Sequence, residues 1–480
     1  MRSKTWLLLV AALVASLALV AAGCGGDDDE EGAGGDGTEA TDTGGEPAAE
    51  QVLRIGWGAE PPSLDPGKAT DTTSSNVILN IMDPLVRLNP DTLEAEPSAA
   101  DDWEVDGPTV TFNLNQDATW TNGDPVTAQD YVYSWKRTLS PELAADYAYQ
   151  LYGIVGAAEY NGCEENCEQL ADEVGVTAVD DYTLQVELTS EQPWFIQQVS
   201  HHSFLPVHQE TVEQFGDDWT EPGNIVTNGA FMLESWEHEA TITLVKNPDF
   251  RDADNVTLER VEGRIIVDGT TRVQAFEAGE IDALDGAGLP PEEIERLKQE
   301  PYYEQYPALG TYYYGFNTKN ISDVNERRAL SLAINRAIIT DQIDRTGRDQ
   351  STGFTPKGMP GQEGMTPSPW LPAEGDLEQA MELRSQVQNP HDQINLFHND
   401  SPGHKEIAVA VQDMWSELGV RTTIKAQEWA QYLEFLGPPP NDSVDVYRLG
   451  WIYDFPDAIN GLELWTCDSG NNNTNFCNEE

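Results

Sequence analysis

"VYRLGWIYDFPDAING", Val446 to Gly461, alternates with period two and then places a lone acid, Asp454, among Trp451, Tyr453 and Phe455. The alternation predicts a strand. An acid in aromatic company is a surface group, a catalytic group, or a charge that needs a partner, and the surrounding sequence has to decide between them.

Working back from this stretch, helix and strand patterns alternate. "VNERRALSLAINRAIIT" and "HKEIAVAVQDMWSELG" read as helices, the second stopping at Gly419, while "QINLFHND", "VRTTIKAQEW" and "SVDVYRLGWIY" read as strands. This βαβ rhythm predicts an α/β lobe with a largely parallel sheet. The first half is richer in strands: "QVLRIGWG", "TVTFNLN", "YTLQVEL", "ATITLVKNP" and "RVEGRIIVD" all alternate. "TRVQAFEAGEIDAL" and "PPEEIERLKQ" read as helices. "TNGDPVTAQDYVYSWKRTL" reads as a turn and a helix, with Thr127 and Asp130 at capping-box spacing and Val132, Trp135 and Leu139 on one face. At 480 residues, two or three domains are expected.

Several stretches, taken in order, carry a resemblance. "SLDP", "ATWTNGDPVTAQDYVYSWKR", "FGDDWTEPGNIVTNGAF" with "ITLVKNPDF", "TYYYGFNT", "QEWAQYL" and "GWIYDFPD" span residues 51–480. The chain resembles the oligopeptide-binding lipoproteins of bacterial ABC importers, in solute-binding protein family 5. The resemblance implies an α/β, periplasmic-binding-protein-like, two-lobed flytrap of the large cluster C type with an extra inserted α+β domain. Mapped here, lobe one is 51–82 and 205–308, the extra domain 83–204, and lobe two 309–480. In the family the segment matching "NNNTNFCN" is followed by further helices and a strand, so lobe two is expected to be incomplete, with roughly sixty to eighty residues beyond Glu480.

The resemblance also assigns a chemistry. A receptor for peptides of varied sequence must hold what they share, the main chain and the terminal charges. By resemblance Asp454 forms a salt bridge to the ligand amine, and the "LGWIY" strand, with Gly450, Trp451 and Ile452, lies along the peptide main chain. Gly450 lets another backbone approach closely. Arg448 and His404 match residues that bind the ligand carboxylate, and Trp429, Trp451 and Tyr147 match aromatics lining the site. From the residues alone, Arg448 could instead pair with a neighbouring acid, and any Trp could be core. Where enteric members carry a disulfide between the "TYYY" and "GW" strands, this chain has Gly310 and Ile452, and a family acid falls at Thr70.

The N-terminus reads as targeting. Arg2 and Lys4 precede an apolar stretch of seventeen residues, Trp6 to Ala22, and small residues then lead to Cys24. Residues 1–23 resemble a lipoprotein signal peptide whose cleavage leaves Cys24 to carry a lipid; an uncleaved membrane anchor is the alternative. Residues 24–50 read as a disordered acidic tether. The formal charge is −58. Without the leader's two bases and the tether's ten acids, 74 acids still face 24 bases. An acidic body disfavours nucleic acid as a partner and is expected to gain stability with added salt. Cys163 and Cys167, and Cys467 and Cys477, read as two local disulfides, with zinc as the rival.

The functional expectation is an extracytoplasmic monomer, lipid-anchored to the outer face of the cell membrane. It has no cofactor, metal or catalytic residue, and it hands oligopeptides to the membrane subunits of an ABC permease. A same-fold receptor for dipeptides, nickel complexes or sugars is the first rival. A secreted hydrolase is the second, since His201, His202, His208 and His238 invite a metal reading although no HExxH or G-x-S-x-G is present.

Overall fold

The computed structural model describes residues 51–478 apart from 285, 287, 288 and 438. The leader, the tether and Cys24 lie outside the described residues.

The chain enters on β1 (Val52–Trp57) and then leaves that sheet. A ribbon, β2 (Val86–Leu88) with β3 (Ala95–Pro97), precedes β4 (Ala100–Asp106), β5 (Thr109–Leu114), β6 (Val176–Asp180) and β7 (Thr183–Glu187), an antiparallel sheet in the order β4-β5-β7-β6. The next strands, β8 (Phe231–Glu237), β9 (Thr241–Lys246), β10 (Arg260–Ile265) and β11 (Ala283–Leu284), rejoin β1 in the order β11-β1-β10-β9-β8. A third sheet collects β12 (Gly310–Phe316), β13 (Gln393–Asn399), β14 (Arg421–Gln427) and β15 (Val446–Ile452) in the order β12-β15-β13-β14. The first sheet is therefore discontinuous in sequence, with the second formed inside its interruption.

Local chemistry accounts for most boundaries. The helix Ala128–Leu139 starts at a capping box in which Asp130 accepts from the Thr127 N–H at 2.7 Å. Its buried face carries Tyr131, Val132, Trp135 and Leu139 against the second sheet's core. The helix Pro402–Ser416 packs its Trp415 under the third sheet, with the indole N–H satisfied by the Leu330 carbonyl at 2.8 Å. Buried Trp needs such a partner for its one polar atom.

Two expectations change, and the largely parallel third sheet gains one antiparallel strand. "TRVQAFEAGEIDAL" is helical only within Gly269–Glu277; Gly279 turns the chain at φ +71° and the stretch ends as β11. The helix expected across "VNERRALSLAINRAIIT" stops at Leu332, and Asn335 caps a new start by accepting from the Ile338 N–H. The third sheet is mixed: β13 runs parallel to β14 and β15, whereas β12 pairs antiparallel to β15. Periodicity reports which face is buried and carries no strand direction.

One acid ties the first two sheet regions together. Asp65 of "SLDP" is 3% exposed and receives Arg137 in a two-pronged pair at 2.9 and 2.6 Å, Trp219 Nε1 at 3.2 Å and the Gly67 N–H at 2.9 Å. Removing one partner of a buried pair leaves an uncompensated charge. Asp65→Ala should therefore cost about 3–5 kcal/mol in urea unfolding, and adding Arg137→Met should recover part of it. A single-variant loss within about 0.5 kcal/mol would contradict the clamp.

Candidate ligand-binding cleft

β15 is paired along its whole length on one side only. On the β12 side its register runs from Gly310 opposite Ile452 to Phe316 opposite Val446. On the other side β13 reaches only Val446 and Tyr447. At Arg448 the Tyr432 hydroxyl takes over, accepting from the Arg448 N–H at 3.1 Å and donating to its carbonyl at 2.8 Å. Main-chain groups repeat their direction every second residue, so the N–H and C=O of Gly450 and Ile452 face the same way. Among the described residues no strand pairs with them there. Gly450 and Ile452 are exposed at this edge, which borders a cleft of about 3100 Å³. Pockets for small ligands are typically about 300–1,000 Å³.

At the end of this edge sits Asp454, its side chain 12% exposed. Oδ2 accepts from Gln150 Nε2 at 2.8 Å and from Asn460 Nδ2 at 2.9 Å. His201 Nε2 lies 3.3 Å from Oδ1. Asn460 Oδ1 in turn accepts from the Asp454 N–H and from Trp451 Nε1, both at 3.0 Å. Burial raises the Asp454 carboxyl, but the His201 charge and hydrogen bond, with the Asn460 hydrogen bond, outweigh it and hold the group below the ordinary carboxylate range. Asp454 is thus neither a surface group nor lacking partners.

The tautomer of His201 follows from its other nitrogen. Nδ1 stands 2.9 Å from Ser203 Oγ and accepts from the Ser203 N–H at 3.3 Å, so Nε2 carries the proton toward Asp454. The helix Ala128–Leu139 fixes this segment: Ser134 Oγ donates to the Leu205 carbonyl at 2.6 Å and Trp135 Nε1 to the Phe204 carbonyl at 2.8 Å. Ser203, His201 and Asp454 have the composition of a nucleophilic triad. Ser203 is 1% exposed, however, and its hydroxyl serves the imidazole rather than the cleft.

Tyr147 and Trp451 form the aromatic wall beside Asp454, with ring centroids 6.0 Å apart, and Tyr147 lies 4.7 Å from His201. Two more acids line this end of the cleft. Asp71 is committed as a helix cap, accepting from the Thr73 and Ser74 N–H groups and from Ser74 Oγ. Burial raises its carboxyl against these bonds and one from Trp429, which reaches it from the third-sheet side. Asp146 is pushed up to about 6 by burial. Thr70, where the resemblance placed a family acid, also lines the cleft.

Farther along β15 the charge reverses. Arg448 and Arg348 stand over the Tyr312 ring, with guanidinium carbons 4.3 and 5.8 Å from its centroid, and the His404 ring is 5.6 Å away. Arg348 pairs with Asp344 at 2.7 Å. Among the described residues no carboxylate reaches Arg448; it donates to Asn399 Oδ1 at 3.1 Å, and its buried Nε has no partner. The alternative of an acid-paired Arg448 does not occur. His404 is pushed down to about 2 by burial and then by Arg448, His398 and Arg348, so it is a neutral hydrogen-bonding group near neutral pH.

Every residue proposed for the site from sequence therefore borders this one cleft: Asp454, Arg448, His404, Gly450, Trp451, Ile452, Trp429 and Tyr147. Gly310 and Ile452 face each other across β12 and β15. Cys163 is bonded to Cys167 and Cys467 to Cys477, the second bridge closing a loop whose Gly470, Asn471, Asn473 and Thr474 also line the cleft. Sequence reasoning missed Gln150, Asn460 and Arg348, and it weighed His201 only as a metal ligand. Gln150 is brought to Asp454 from 304 residues away, which no spacing marks, whereas Asn460 lies six residues from Asp454 within the opening stretch and was passed over. The other histidines it weighed have partners of their own: His202 the Ala69 carbonyl, His208 Thr211 Oγ1 and Asp124, and His238 Glu60.

Residues 94–473 match the model of the bacterial extracellular solute-binding proteins, family 5 (middle). The chain is 34% identical to the oligopeptide-binding protein OppA of Bacillus subtilis, over 99% of this chain and 87% of the relative. It superimposes on Haemophilus influenzae OppA in complex with the peptide RPPGFSPFR at a TM-score of 0.80, with 31% identity over 90% of this chain and 85% of the other. The murein tripeptide binding protein MppA of Escherichia coli matches at a TM-score of 0.82, with 31% identity and coverage of 90% and 85%. Its unliganded open form matches at only 0.58, with 32% identity and coverage of 90% and 84%. The protein fold is the same in both cases, so the difference lies in the arrangement of its parts, and this chain does not share the open one. The chain belongs to the bacterial extracellular solute-binding proteins of family 5.

Proposed function

We propose that the protein captures oligopeptides between two lobes and delivers them to an ABC permease. Lobe one comprises residues 51–82 and 205–308, the inserted domain 83–204, and lobe two 309–480. The observation that carries this reading is the unpaired edge at Gly450 and Ile452, flanked by an ionised acid at one end and an acid-free arginine at the other. A peptide lying there, antiparallel to β15, pairs its main chain with that edge. Its amine meets Asp454 and its carboxylate meets Arg448, with neutral His404 as a further hydrogen-bonding group. Strand addition needs no particular side chains, so Tyr147, Trp451 and Trp429 act as adaptable walls. The names of the relatives support the same ligand class.

In this reading the role is binding, with no chemical step. The protein works outside the cytoplasm as a monomer, tethered by a lipid on Cys24. Among the described residues no helix is long and apolar enough to cross a membrane.

Calorimetry with an alanine series from dipeptide to hexapeptide tests the reading. At least one free-amine member should bind, and its N-acetylated form should bind poorly. Asp454→Asn should weaken the free-amine peptide roughly thirtyfold or more, the effect of removing one partner of a buried charge pair. Equal binding of the acetylated and free forms would overturn the amine anchor. Arg448→Met should erase the preference for a free C-terminal carboxylate over the corresponding amide; a preference that survives it would remove Arg448 from the site.

A further inference from the structure

Two parts of the fold meet beside Asp454. The single turn Ala148–Leu151 buries Ala148 and Leu151 in the second sheet's core. The loop 467–477 hangs instead from the third sheet. Thr318, just beyond β12, donates its N–H to the Thr474 carbonyl at 2.8 Å, and Asn475 Nδ2 donates to Asn317 Oδ1 at 2.9 Å. The Cys467–Cys477 bridge closes that loop. Where the two parts touch, Asn471 Nδ2 donates to the Tyr149 hydroxyl at 3.4 Å and Gln150 Nε2 donates to Asp454 at 2.8 Å. Tyr147 and Tyr149 pack there in one buried cluster with Trp451 and Tyr453.

Main chain also meets main chain at this seam. A β-carbon built on Gly470 would overlap the Asp146 carbonyl oxygen and stand 2.5 Å from the Asp146 Cα. Gly470 is not one of the residues with positive φ, so its own backbone does not call for glycine. The approach of Asp146 does. Asp146 directly precedes Tyr147 and lies four residues before Gln150, so displacing its main chain carries both away from Asp454.

We infer that Gly470 is a positioning residue for ligand capture: having no side chain, it lets the Asp146 main chain seat against the loop, which brings Tyr147 and Gln150 up to Asp454 at the end of the β15 edge. This rests on the amine-anchor reading of Asp454. Carbon atoms rest about 3.5–4.0 Å apart, so a β-carbon at 470 forces the seam apart by about 1 Å. A 2.8 Å hydrogen bond stretched by that much is lost. Water then enters beside the carboxylate, and its attraction for an ammonium weakens in the higher dielectric. Gly470 itself offers a ligand no side chain, so the effect passes through residues 146–150.

Calorimetry on the full chain compares the tightest-binding free-amine member of the alanine series with its N-acetylated form. Gly470→Ala should lower affinity for the free-amine peptide about tenfold or more and narrow the free-to-acetylated ratio. Gly364→Ala, whose added β-carbon meets nothing within 4 Å, should leave both as they are. Asn471→Ala loosens the same seam without adding bulk and should narrow the ratio in the same direction. It serves in place of Gly470→Ala if circular dichroism shows that variant unfolded. Gln150→Ala should narrow the ratio too, and combining it with Gly470→Ala should cost no more than the larger single effect, since both act on one contact. A ratio unchanged in Gly470→Ala and Asn471→Ala, or losses that simply add, overturns the proposal. If acetylated and free peptides bind the unmodified protein alike, the amine anchor fails and the proposal with it. If they differ there and differ equally in Gly470→Ala, the proposal alone fails.

Discussion

A carboxylate kept ionised inside a protein must be surrounded by donors, and Asp454 shows what that requires. Its donors come from residues 150, 201 and 460, which are far apart in sequence. Each donor is itself held. Asn460 is fixed by the Trp451 indole, Gln150 by Gln198 through its carbonyl, and His201 by Ser203 and the helix that grips residues 204 and 205. The second sheet's packing and the third sheet's edge thus converge on one charged group, and shifting either would leave that charge unpaired at a cost of several kcal/mol.

The same discipline applies to the exposed edge of β15. An open strand edge invites unwanted pairing, and here only a short part is left open. β13 covers Val446 and Tyr447, the Tyr432 hydroxyl closes Arg448, and beyond Ile452 the chain turns away through Tyr453, whose N–H returns to the Leu309 carbonyl at 2.9 Å. The remaining window at Gly450 and Ile452 is recessed in a cleft. A backbone acceptor of short, extended ligands is compatible with solubility on those terms.

How legible this was depends on the range of the interaction. The Ala128–Leu139 helix, its capping box and its buried face were readable because all the groups lie within one turn or one periodic face. The β15 alternation was readable for the same reason, whereas the place of Asp454 came from the resemblance carried by "GWIYDFPD". The antiparallel β12 and the break after Leu332 were not, since strand direction depends on the partner strand and helix termination competes with tertiary packing. His201 illustrates the limit. Its sequence neighbourhood, "SHHSF", has no feature that distinguishes a donor to a distant carboxylate from a core histidine. The motif supplied the acid; folding supplied its partners.

The overall charge gives the cleft's polarity its meaning. With 84 acids against 26 bases, an arginine that has no acid within ion-pairing reach must be kept apart from them. Tyr312 and Asn399 do this: the ring covers the Arg448 guanidinium and the amide satisfies Nη1, leaving Nε buried and unpartnered. Such an arrangement is unfavourable by itself. Under the proposed reading it would become favourable once an anion enters, just as the acid-rich end would favour a cation. A dipolar, extended ligand would then meet opposite charges at the two ends of the open edge of β15 and be oriented by them before any main-chain hydrogen bond forms.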